Sequence, residues 1–284
     1  MPHMRSTKEL AYRYDLYVVP YWREAFDQFI LERVAIPQTG NILTVNCGTG
    51  GLAIELAMKL GDRGDVIATD QAIERLRLAR AKASMKHLNN IHFLEKDPTH
   101  LGMEEYAFEL VIGDATLIAP EHVEPMLAEM VRLTEEDGTV ALTVLAQGSF
   151  GEVFSLLWEA LYLCELTDLV PHVEALIREY PTADHLQQMM KRQGIHRVRW
   201  FIERRELDFA SGEEVFQSPL IEDYFLDRWL AFLPTEATRR RVIKKMIQII
   251  NREHRSSYFE VSVKAALLMG KKPSRDSFSS APAG

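Results

Sequence analysis

The chain predicts an α/β fold, doubly wound around a mostly parallel seven-stranded sheet, with helical insertions late in the sequence. Three observations predict it. From residue 42 to residue 145, short apolar runs alternate with helix-patterned segments, the signature of a sheet covered on both faces. The first run, Ile42-Leu43-Thr44-Val45, passes directly into a glycine-rich turn, Asn46-Cys47-Gly48-Thr49-Gly50-Gly51, and then an amphipathic helix. The second run, Val66-Ile67-Ala68-Thr69, ends on Asp70, twenty residues beyond Gly50.

The elements follow in order. The first helix spans about Leu52 to Leu60 and stops at Gly61; the second fills Gln71 to Leu88, with Ile73, Leu76, Ala79 and Ala83 at helical spacing. Ile91 to Leu94 reads as a third strand and Phe108 to Asp114 as a fourth. Met126 to Leu133 reads as a helix, Asp137-Gly138 as a turn, and Thr139 to Leu145 as a fifth strand. Residues 147 to 194 read as successive helices broken at Pro171 and Pro181, and Gly194 ends the last of them. A strand from Val198 to Phe209, a second helical insertion from about Pro219 to Arg255, and a last strand from Tyr258 to Leu268 complete the fold. The expected organisation is one domain over 1–269. Within it, 1–40 is an N-terminal helical cap, 41–146 the cofactor-binding core, 147–257 a substrate lid with the sixth strand, and 258–269 the last strand. A Lys-, Ser-, Pro- and Ala-rich disordered tail is expected over 270–284.

The glycine turn points to a nucleoside-bearing cofactor. Glycine lets backbone N–H groups approach a ligand, and a carboxylate closing the neighbouring strand is placed to grip ribose hydroxyls. Gly48-x-Gly50-x-x-Ala53 formally fits a dinucleotide fingerprint, so a NAD(P) oxidoreductase is one reading. Yet Cys-Gly-Thr-Gly after an apolar strand, the acid at Asp70, Lys96-Asp97-Pro98 after the third strand, and Phe108-Glu109-Leu110-Val111 resemble, in register, the motifs of class I S-adenosylmethionine (SAM) dependent methyltransferases. The likeness covers roughly residues 10 to 146. It is closest to the small-molecule group that includes quinone-biosynthesis and natural-product methyltransferases. It implies a Rossmann-like sheet with an antiparallel last strand, SAM as cofactor, and methyl transfer to a small, partly apolar acceptor by in-line displacement.

The same resemblance assigns Asn46, Cys47, Gly48, Thr49, Gly50, Asp70, Gln71, Asp97, Pro98 and Gly113 to the cofactor. Thr44 stands where the family carries an acid, and Asn46 where it carries a glycine. These departures leave open a methyltransferase-like binding or assembly protein without catalysis. Tyr12, Tyr14, Tyr17, Tyr21 and Trp22 precede the first strand and resemble the helix that closes over SAM; Trp22 and Phe26 are expected to pack on the sheet.

Candidate catalytic groups are His122, just beyond strand four, and Tyr14. Tyr17, Phe154, Trp158 and Tyr162 are the candidate substrate contacts. No His or Cys spacing suggests a metal. Two cysteines among 284 residues exclude a disulfide framework and suit a reducing, cytoplasmic setting, as does a polar N-terminus unlike a secretory signal. No apolar stretch is long enough to span a bilayer. A formal net charge of −8 disfavours broad nucleic-acid binding. One predicted helix nonetheless crowds Arg239, Arg240, Arg241, Lys244, Lys245, Arg252 and Arg255, either as a solvated outer face or as a dock for an anionic partner.

Overall fold

The computed structural model describes residues 5–104 and 107–274. Its described strands form a seven-stranded sheet in the order β3-β2-β1-β4-β5-β7-β6. Strands β1 (Ile42–Val45), β2 (Val66–Asp70), β3 (Ile91–Glu95), β4 (Phe108–Asp114) and β5 (Thr134–Leu145) pair in parallel, with β1 central and its neighbours reached by helical crossovers. All four residues of β1 are buried, as a strand covered on both faces requires. β6 (His196–Phe209) and β7 (Phe259–Lys271) add the antiparallel end.

The contacts divide into two compact units, where the sequence suggests one domain with lid segments. Unit 1 holds the described residues up to Val144, Ala183–Phe201 and those from Ala266; unit 2 holds Leu145–Thr182 and Ile202–Ala265. Helix α8 (Ala183–Arg192), expected within the lid, therefore belongs to unit 1, where Arg192 pairs with Glu124.

In unit 1, α3 (Gly51–Leu60) and α4 (Ile73–Met85) lay Leu56, Ala57, Leu76 and Ala79 against Ile42, Ala68 and Ile112 to make the core. Full burial of each large aliphatic group contributes about 1.5–3 kcal/mol. α4 is shorter than its sequence pattern suggests, because the Asp70 carboxylate holds the Ala72 N–H and fixes an extended residue before the first turn. α5 (Val123–Leu133) buries Val123, Met126, Leu127, Met130 and Leu133 at helical spacing. The expected turn at Asp137-Gly138 lies inside β5. Phe108 pairs with Thr134, but Leu110 already pairs with Thr139, so the intervening residues bulge and Asp137 takes a φ of 58°. The last strand also runs past its expected end. β7 continues to Lys271, and Lys272 Nζ donates to the carbonyls of Val131, Arg132 and Thr134 at the end of α5. The rest of the expected tail, 275–284, lies outside the described residues.

The N-terminal segment consists of α1 (Thr7–Arg13), a π-helical run (Tyr14–Arg23) and α2 (Glu24–Arg33). The wider turn coincides with Pro20, which cannot donate to the helical ladder.

Unit 2 is built on α6 (Gly151–Leu163), α7 (Val170–Arg178), α9 (Gly212–Gln217), α10 (Pro219–Tyr224), α11 (Leu226–Trp229) and α12 (Glu236–Glu253). Pro171 starts a helix rather than breaking one, and Pro219 opens α10 as expected, since a first-turn residue needs no N–H partner. Phe150, Phe154, Tyr180, Phe225 and Trp229 stack into an aromatic core with centroids 4.7–6.1 Å apart. α12 buries Val242, Met246, Ile249 and Ile250. No helix among the described residues is long and apolar enough to cross a membrane.

Candidate cofactor site

The turn after β1 is shaped by its glycines. Gly48 has φ +59° and Gly50 φ +86°, and a Cβ on Gly50 would approach Ala79 Cβ to 2.9 Å. Asn46 also takes a positive φ, 57°, in place of the family's glycine; its side-chain amide donates to the Asp114 carbonyl at 3.0 Å and so ties β1 to the end of β4. Asp70 lies beneath the turn, 1% exposed. Its two oxygens accept from the N–H of Gly48 at 2.9 Å and of Ala72 at 2.8 Å. Arg75 Nε stands 3.4 Å from the same carboxylate.

The turn is covered by the N-terminal segment. The Tyr14 hydroxyl rests where a Cβ on Gly48 would stand, and the Arg75 guanidinium sits 5.0 Å above the Tyr14 ring. Asp15 accepts from Thr49 Oγ1 at 2.5 Å and pairs with Lys82. Trp22 Nε1 donates to Thr116 Oγ1 at 2.9 Å. The buried Arg23 guanidinium pairs with Asp27 at 3.1 Å and with Asp114. Burial is the largest influence and opposes the Arg23 charge, but Asp27, Tyr14, Cys47 and Asp70 together outweigh it and hold the group above its ordinary pKa. Asp27 is pushed up by burial, with Arg23 and the Leu52 N–H at the start of α3 pulling the other way. Thus Asp27 caps α3, and Arg23 neutralises the cap.

The remaining residues assigned from sequence lie on several elements. Thr49 is buried on the Asp15 side. Cys47 is buried, and burial together with the Asp70 carboxylate raises its thiol well above the usual range, which suits packing rather than nucleophilic attack. Gln71 is exposed just after β2. Asp97 is exposed after β3; its Oδ1 accepts from Thr99 N at 2.7 Å and Thr99 Oγ1 at 2.6 Å, which lowers its pKa. Pro98 beside it is buried. Gly113 lies under α5, where a Cβ would strike Met126 and Met130. His122 is exposed at the start of α5, close enough to Asp97 to favour its charge. Tyr17 is exposed on the N-terminal segment. In unit 2, Phe154 belongs to the aromatic core, whereas Trp158 and Tyr162 project from α6, 57% and 71% exposed. Thr44 Oγ1 is buried with no hydrogen-bond partner. The described residues contain no cluster of metal-ligating side chains.

Sequence reasoning missed Arg23, Asp27, Arg75 and Asp114. Only Asp114 carried a signal, as a carboxylate ending an apolar strand.

A family profile described as a methyltransferase domain matches residues 42–138, the span from β1 through the bulge of β5. The demethylmenaquinone methyltransferase of Staphylococcus haemolyticus is 23% identical over 188 residues, covering 63% of this chain and 76% of the relative. Over that span the chain is similar to SAM-dependent methyltransferases. Aklanonic acid methyltransferase DauC of a Streptomyces species is 27% identical over 176 residues, covering 61% and 73%. Among solved structures, a Bacillus halodurans methyltransferase superposes with a TM-score of 0.55 at 12% identity, covering 88% of this chain and all of that one. Phosphoethanolamine N-methyltransferase 2 of Haemonchus contortus, solved with S-adenosylhomocysteine, gives 0.56 at 14%, covering 96% and 59%. These structures share the fold. The dinucleotide reading of Gly48-x-Gly50 is set aside, since profile and relatives alike are methyltransferases. The turn suits a nucleoside-bearing cofactor: its left-handed glycines carry no Cβ that would block close approach to the backbone, and the buried Asp70 carboxylate, bonded to the Gly48 N–H, lies behind them.

Proposed function

We propose that the protein transfers a methyl group from SAM to a small, partly apolar molecule. The relatives named for demethylmenaquinone and aklanonic acid support this acceptor class. When bound, SAM supplies a methyl group on a positively charged sulfur, open to in-line attack. The chain's own residues position it. Gly48 and Gly50 bring backbone against it, flanked by Asn46, Cys47 and Thr49. Asp70 accepts the ribose hydroxyls, Gln71 flanks the adenine, Asp97 meets the adenine amino group beside Pro98, and Gly113 backs the turn. Alignment of donor and acceptor supplies much of the acceleration, so the reaction does not depend on a strong base. His122 and Tyr14 are the candidate proton acceptors. Trp158 and Tyr162, exposed on α6, and Tyr17 are the candidate acceptor contacts.

The observation that carries this reading is the hydrogen bond from Gly48 N to the buried Asp70 carboxylate, which couples the turn to the acid. Asp70→Ala removes the charge-assisted acceptor of the ribose hydroxyls, a net contribution of about 1.5–3 kcal/mol. Calorimetry on the variant should show S-adenosylhomocysteine affinity reduced by about 10- to 100-fold. Wild-type protein that binds NADH and not SAM would overturn the reading. A wild type without SAM affinity at millimolar concentration, restored by Thr44→Asp, would favour a binding or assembly role instead.

A further inference from the structure

The basic stretch of α12 is not one uniform charged face. Its arginines are mostly neutralised: Arg239 pairs with Asp227, Arg240 with Glu236 at 3.0 Å, and Arg252 with Glu159 at 3.4 Å and Glu253 at 2.7 Å. What remains is a row at positions 241, 244, 245 and 248, spaced so that all four side chains share one face of the helix. These residues line a cavity of about 370 Å³ together with Leu163, Cys164 and Glu165 at the end of α6. Arg241 is fixed there by donating to the Cys164 carbonyl at 3.1 Å. Among the described residues, neither Lys244 nor Lys245 has a hydrogen-bond or ion-pair partner.

We propose that this cavity, walled by Arg241, Lys244, Lys245 and Gln248, is a binding site for a phosphoryl group carrying at least two negative charges. Three cations face one carboxylate, Glu165, so the cavity keeps a local positive excess on a chain whose net charge is −8. That excess concentrates an oxyanion within a Debye length of the surface. The donors are of the right kinds: a planar guanidinium held in place, two mobile ammonium groups and a neutral amide. Glu165, with its φ of 57°, sits in the same wall and disfavours a singly charged ion, which gains too little from the cations to offset the carboxylate. The site lies wholly within unit 2 and is independent of the cofactor turn.

Titration of the full chain with pyrophosphate, followed by calorimetry, tests the proposal. Saturable binding is expected, weakening as salt rises. Lys244→Gln with Lys245→Gln should reduce affinity about tenfold or more. Arg240→Gln, a residue already paired with Glu236, should leave it unchanged. A second arm separates sources of the same group. Flotation with vesicles carrying phosphatidic acid, lost in the double variant, would assign the phosphoryl group to a lipid surface; binding of pyrophosphate alone would assign it to a soluble metabolite. No binding in either arm, binding indifferent to the lysine substitutions, or tighter binding of polyglutamate than of pyrophosphate would overturn the proposal. The last outcome would point to an acidic protein. Far-UV circular dichroism of the variants keeps a folding defect from being counted as lost affinity.

Discussion

Replacing Arg23 by Met should destabilise the protein severely while leaving the apolar stem of the side chain nearly filled. Arg23 is 4% exposed, and its guanidinium serves two carboxylates at once, Asp27 at 3.1 Å and Asp114. Removing one partner of a buried ion pair typically costs about 3–5 kcal/mol, because the surviving charge is left without compensation. Here two charges are left, so the upper part of that range is expected. This is a large share of the roughly 5–15 kcal/mol by which a typical domain is stable. The effect should depend on pH in a definite direction. Asp27 already titrates above its ordinary value because of burial, so its ionisation costs stability as pH rises through its folded pKa. Arg23 opposes that cost, and its loss lifts the Asp27 pKa further. The penalty of Arg23→Met should therefore be largest at neutral pH and shrink as acid protonates Asp27. Urea unfolding of wild type and variant across that range measures it. Adding Asp114→Asn should restore part of the loss, as a double-mutant cycle would quantify. A cost below about 1 kcal/mol at neutral pH, or one that grows in acid, would refute the assignment of Arg23 as the neutralising group.

Three other outcomes follow from the same geometry. Tyr14→Ala removes the ring that rests on Gly48 and supports Arg75, so stopped-flow association of S-adenosylhomocysteine should be several-fold faster; an unchanged rate would mean that Tyr14 does not stand in the cofactor's way. Cys47, with its thiol raised by burial, should resist iodoacetamide at pH 8 in the native protein and react once urea unfolds it, which mass spectrometry of the alkylated peptide can follow. Thr44→Val removes a buried hydroxyl without a partner and should be neutral or stabilise by up to about 1 kcal/mol in thermal unfolding; a loss of that size would show that the hydroxyl is bonded in solution.

The elements that position the cofactor turn were legible because they combine two signals. In β1 and α3, an apolar run of full burial meets a glycine that only a positive φ can explain, and Asp70 ends the next strand at a fixed distance. The start of β5 was not legible. Thr134 to Gly138 is polar and contains Asp-Gly, so it reads as a turn, and only the shifted pairing with β4 reveals a bulge within the strand. α9 did not stand out as a separate helix for a related reason: six acid-rich residues have too little periodicity, although Ser211 caps it through the Glu214 N–H. At the site, Arg23 and Asp114 belong to segments far apart in the chain. No local pattern marks an arginine on an N-terminal helix as the partner of a strand-end carboxylate, because the pairing exists only once the segment has folded over the sheet.

Lys272 gives the end of the chain an importance that its composition conceals. Its ammonium closes three carbonyls around the end of α5, while its backbone N–H donates to the Gly138 carbonyl and its own carbonyl accepts from Asp137. The last described residues therefore work as a bolt across the end of α5 and the start of β5. An expression boundary drawn at residue 270, where charged and small residues begin to dominate the sequence, would cut the bolt away and leave those carbonyls to water. Boundaries and purification tags belong beyond Ser274.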